Sequence, residues 1–155
     1  MTNVAKRARR YMAGTNPQTG ESVYPEYISF ETAARPAWWR DDVVDSRWGT
    51  VLGVHEYEPG KRADAFVVTE DGLALFEEAG VVWLPYVDMD GWDRLFKEPV
   101  VSTSLTIRRK DGRGVEFKFP RFAQAFAFVQ FIGRARWEHE HDRRLREAAS
   151  AGERK

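Results

Sequence analysis

Along residues 48–120 apolar positions recur at every second residue in short runs, and beyond residue 120 they recur every third or fourth. The first pattern predicts strands and the second a helix. Side chains alternate faces on a strand, but return to one face about every 3.6 residues on a helix. Val51, Leu52 and Val54 mark a strand over 48–57, ended by the loop Glu58-Pro59-Gly60-Lys61-Arg62. Residues 65–69 make a second strand. Asp71-Gly72 turns the chain, because glycine tolerates the positive φ of a tight turn, and residues 73–76 return. Glu78-Ala79-Gly80 turns again into 81–84, with Pro85 at a bulge or strand end. Residues 86–89 read as a short strand followed by a turn at Asp90-Gly91. Leu105 and Ile107 share one face of a strand over 104–109. Asp111-Gly112 turns, and Val115, Phe117 and Phe119 alternate on the way back. Closely spaced short strands joined by tight turns predict a meander that curls or closes.

Pro120 suits the junction from strand to helix, where a missing N–H costs little. Phe122, Phe126, Val129, Gly133 and Trp137 then follow one helical stripe, broadened by Phe128, Phe131 and Ile132. The expectation is that Phe122, Phe126 and Val129 plug the strands, so that Phe126→Ala costs ~3–5 kcal/mol. From Arg134 the helix turns rich in Arg, Glu and His and continues to about residue 149. Residues 1–47 carry turn signals at Asn16-Pro17, Thr19-Gly20 and Tyr24-Pro25, and 29–42 admits a short helix interrupted at Pro36. The first ten residues, with Lys6, Arg7, Arg9 and Arg10, read as a frayed basic arm. The chain therefore divides into an irregular extension over 1–47 packed on the barrel, a barrel with its capping helix over 48–137, and a charged, solvent-exposed helical tail over 138–155.

Three stretches carry a resemblance. One is the strand–turn–strand Phe66-Val67-Val68-Thr69-Glu70-Asp71-Gly72-Leu73-Ala74-Leu75. Another is the apolar strand running into a Pro-aromatic-x-acidic segment, Trp83-Leu84-Pro85-Tyr86-Val87-Asp88-Met89. The third is the late hairpin, Leu105-Thr106-Ile107 to Val115-Glu116-Phe117, followed by a Phe-rich helix. Over residues 48–137 this series resembles bacterial pleckstrin-homology-like domains. The resemblance implies a mainly β, α+β fold: a partly open barrel of about seven antiparallel strands capped by a long C-terminal helix. It also implies a binding role toward phosphoinositides, peptides or protein surfaces.

Composition narrows the function classes. The 155 residues suit one domain, and 43% hydrophobic content is enough for a core. Twenty-four basic residues balance 24 acidic ones, which argues against a nucleic-acid partner. The absence of cysteine excludes disulfides and thiolate metal sites. With no apolar run long enough to span a bilayer and no signal-peptide core, the expected location is the cytoplasm.

Candidate chemistry is sparse. His139 and His141 in Glu138-His139-Glu140-His141-Asp142 are two apart, which turns them about 200° from each other on a helix and rules out joint chelation. Asp88-Met89-Asp90-Gly91-Trp92-Asp93 fails as a calcium loop, because Tyr86 and Lys97 occupy the two end positions that need acids. No catalytic or cofactor motif appears, so the expectation is a non-enzyme without cofactor or metal. The resemblance places inositide-binding cations at Lys61 and Arg62, but Asp64 stands where a second basic residue commonly lies. Six tryptophans are a large number for one barrel. Trp38, Trp39, Trp92 and Trp137 lie in polar surroundings, and tryptophan is enriched at interface hot spots. The leading reading is a protein-interaction module whose partner includes the option of a second copy. The alternatives are peripheral binding to anionic membrane through the basic arm, Lys61 and Arg62, and a small enzyme or metal protein with an unrecognised site.

Overall fold

A computed structural model describes residues 1–93 and 103–153. Lys97 and the last two residues of the tail lie outside this range. Eight antiparallel strands form two sheets. The first sheet runs in sequence order through β1 (Tyr27–Ser29), β2 (Val51–His55), β3 (Phe66–Thr69), β4 (Gly72–Glu77) and β5 (Gly80–Pro85). The second contains β6 (Met89–Trp92), β7 (Thr103–Arg109) and β8 (Gly114–Phe119). Helix α1 (Asn3–Arg7) opens the chain and the 32-residue helix α2 (Phe122–Glu153) closes it. The expected mainly β, α+β architecture, an open antiparallel meander with a long C-terminal helix, is what the structure has, with eight strands among the described residues rather than about seven.

The five-stranded sheet is buried on both faces, and alternation sorts its side chains between two cores. Phe66, Val68, Leu73 and Leu75 face the second sheet and α2. Val67, Ala74 and Phe76 face the other way, under Phe30, Trp38, Trp39 and Trp48. β1 was not foreseen. It pairs with β2 at Tyr27–His55 and Ile28–Val54. The close approach depends on Gly53, where a Cβ would stand 2.4 Å from the Tyr27 ring and 2.6 Å from the Ile28 carbonyl oxygen.

Five expectations are corrected. Residues 86–88 form a 3-10 turn, and Asp90-Gly91 lies inside β6 at a register shift against β7, so the polar pair marks a bulge rather than a reversal. Residues 29–42 form no α-helix; a single 3-10 turn, Asp41–Val43, begins at the end of that range. Pro36 breaks the segment, and Trp38 and Trp39 pin it to the sheet, Trp38 edge-on to Phe76 at 5.4 Å between centroids and Trp39 to Phe30 at 4.9 Å. The basic arm is ordered: Thr2 caps α1, and Val4, Ala5, Ala8, Met12 and Ala13 are buried. Those residues are a helical stripe that the intervening basic residues obscure. Glu138, assigned to the exposed tail, is buried, accepting from the Asn3 amide at 3.1 Å and lying 3.7 Å from the Arg7 guanidinium. The fifth correction concerns α2. Its buried stripe is Ala125, Phe128, Phe131, Ile132 and Ala135, and Phe126 is 52% exposed. Phe122 and Phe126 stack on each other at 6.4 Å instead of plugging the strands, while half-buried Val129 packs against the core as expected. Two apolar stripes compete for the core, and the one with smaller alanines between its aromatics seats more closely on the sheets.

Candidate functional site

The four candidate tryptophans do not share one surface. Trp38 and Trp39 are half-buried on the outer face of the five-stranded sheet. Trp38 Nε1 donates to Glu56 at 2.7 Å and Trp39 Nε1 to Asp41 at 2.9 Å, so both indole N–H groups are already satisfied within the chain. Trp92, on β6, is half-buried and reaches to within 3.8 Å of where a Cβ would stand on Gly133 of α2. Trp137 is 56% exposed and lies parallel to the His141 ring at 4.8 Å.

Trp92 and Trp137 therefore belong to the outward side of α2, with Phe126. Phe126 and Trp137 are eleven residues apart, about 16 Å along the axis and three helical turns, so they point the same way. Half-buried Phe122 flanks Phe126, while Val129 and Trp92 lie at the border of this side, packed against the core. Sequence reasoning missed Phe126 as a surface residue. The available signal was the two-stripe pattern itself: a helix apolar on more than one side needs a second surface to cover it.

Lys61, Arg62 and the arginines of the basic arm are engaged within the chain. Lys61 pairs with Glu58 at 2.8 Å, which holds its ammonium pKa up, and the Arg62 guanidinium sits 5.5 Å from the Phe76 ring centroid. Asp64, at a positive φ of 61°, pairs with Lys118 at 3.4 Å. In the basic arm, Arg7 meets Glu138, Arg9 meets Glu31 at 2.9 Å, and Arg10 lies 5.2 Å from the Tyr11 ring.

The underside of the α2 tail bounds a groove of about 770 Å³ lined by Asp71, Val87, His139, Arg143, Arg146 and Glu147. His139 Nε2 lies 2.8 Å from the Glu70 carbonyl oxygen, a contact in which the ring N–H donates, and 3.9 Å from Asp71. Arg143 pairs with Glu147 at 3.4 Å. The groove is a mixed-charge lining largely satisfied by its own residues. Among the described residues no group of three or more His, Cys, Asp or Glu side chains is placed to hold a metal ion, and no helix is long and apolar enough to cross a membrane.

One buried polar group stands out beneath α2. His55 is stacked on Phe66 at 4.9 Å, and neither ring nitrogen has a hydrogen-bond partner among the described residues. Burial pushes its pKa down to about 4. The neighbouring Gln124 Oε1 is likewise unpaired, while its amide donates to Glu26. The space they share with Tyr11, Met12 and Tyr24 is too small for a ligand.

No protein-family model matches the chain, and a search of curated proteins returns no match.

Proposed function

We propose that the chain is a non-catalytic protein-interaction module, built on a pleckstrin-homology-like scaffold, that presents the outward face of α2 to its partner. The antiparallel meander ending in one long helix supports the scaffold reading. The observation that carries the binding reading is the exposure of Phe126 and Trp137, each more than half accessible, on one side of one helix. Large aromatics left exposed on one side of a helix mark interaction sites, and tryptophan in particular concentrates binding energy. Trp38 and Trp39 leave the candidate surface, since they complete the second core.

The test is photo-crosslinking in the native host with benzoylphenylalanine in place of Trp137, and at Thr19 as an exposed control. A discrete protein adduct at 137, absent at 19, is the expected result. An adduct pattern at 137 no richer than at 19 overturns the reading.

A further inference from the structure

We infer that the partner on this face is a second copy of the chain, α2 against α2, running antiparallel. The inference rests on the α2 reading above and adds the occupant. At about 100° per residue, Phe126, Gln130, Gly133, Trp137, Arg144 and Ala148 point outward, opposite the buried Phe128 and Ala135. Arg136 and Glu140 lie together on one flank of that face, both half-buried. The ion pairs that α2 makes among the described residues are Arg7–Glu138 and Arg143–Glu147, and His139 Nε2 lies 3.9 Å from Asp71. Arg136 and Glu140 take part in none of them.

A twofold axis crossing the outward face at the level of Glu138 supplies both partners. Antiparallel helices bring like flanks together. Arg136 of each copy is then level with Glu140 of the other, so the contact forms twice. The same register sets Phe126 beside the small Ala148 of the second copy, and Trp137 beside its own symmetry mate. Bulk meets small side chains, and Arg136 and Glu140, which form no ion pair among the described residues, each meet their opposite. A parallel pair brings opposite flanks together instead and sets Arg136 beside Arg134 of the second copy, cation against cation. The zero net charge of the chain adds no long-range repulsion between copies.

The area sets the strength. A helix of 32 residues is about 48 Å long and about 10–12 Å wide. One face therefore offers on the order of 500 Å² per copy, below the ~800 Å² of a standard stable interface. The pair is expected to dissociate on the order of micromolar, not to be permanent.

Sedimentation of the full chain across a concentration series reads this directly, with Arg136→Glu, Glu140→Arg and the double variant carrying both. Each single reversal places like charges together twice and is expected to weaken the dimer about tenfold or more, while the double variant restores the contacts and returns to within about threefold of wild type. Circular dichroism confirms that all four chains are folded. A dimer insensitive to the reversals overturns the antiparallel register. A chain that stays monomeric to about 100 μM overturns the second copy as occupant. If that monomer still yields an adduct with another protein from position 137, the surface reading stands and only the self-partner falls.

Discussion

The inner and outer faces of α2 carry the same kinds of side chain and meet opposite fates. Phe128 and Phe131 are fully buried against the two sheets, while Phe126 and Trp137, in the same helix, stand more than half exposed. The inner face has its complement in the chain: Phe128 contacts Phe66, Phe117 and Phe119 with centroids 4.9–5.4 Å apart. Among the described residues the outer face has aromatic neighbours in Phe122, which stacks on Phe126, His141, which stacks on Trp137, and the edge of Trp92 at Gly133. What separates core from surface here is the rotational setting of the helix on the sheets, not hydrophobicity.

The sharpest way to break this comparison is to truncate one aromatic on each face. Phe128→Ala is expected to cost ~3–5 kcal/mol in chemical denaturation, by lost burial plus the cavity left behind. Phe126→Ala, measured at a dilution where the chain is monomeric, is expected to cost under ~1 kcal/mol. Equal losses at the two positions would mean that both stripes are core.

The inner side also carries a pH liability. His55 has its pKa lowered from 6.5 to about 4 by burial. A lowered value means the unfolded chain binds the proton first, so the stability contributed by neutral His55 is complete above pH 6.5 and is lost as pH falls through about 4. The loss is expected to reach about 3 kcal/mol. Denaturation midpoints between those pH values should fall in wild type and flatten in His55→Leu. An unchanged slope in that variant would assign the loss to other groups.

A smaller contrast lies between neighbours. Glu138→Ala leaves the Asn3 amide and Arg7 without their acceptor, and is expected to cost ~1–2 kcal/mol and to speed hydrogen exchange in α1. Trp137→Ala, one residue away, is expected to stay within ~0.5 kcal/mol for the monomer.

Much of the fold was legible from period-two alternation. Residues 65–69 and 73–76, and the hairpin around Asp111-Gly112, fall where the pattern and the glycine turns put them. The misses have physical causes. β1 is three residues long, and its pairing depends on a missing Cβ at Gly53, a feature of a different segment. The N-terminal helix stripe of Val4, Ala8 and Met12 is interleaved with four cations that dominate its composition. The candidate surface was legible in part. Trp137 and Trp92 were picked out by their polar neighbours, but Trp38 and Trp39 share such neighbours and lie on a core that sequence cannot see. The sequence pattern assigns Phe126 inward because periodicity on a helix fixes which residues share a face, not which face turns to the sheets.

The most direct measurement of the central claim is the molar mass of the wild-type chain in solution across a dilution series, beside Trp137→Asp. A dimer that dissociates on dilution in wild type, with Trp137→Asp folded and monomeric throughout, is the result expected if the outer face of α2 binds a second copy. A wild-type chain that is monomeric at every concentration, or a Trp137→Asp chain that dimerises as well as wild type, would contradict it.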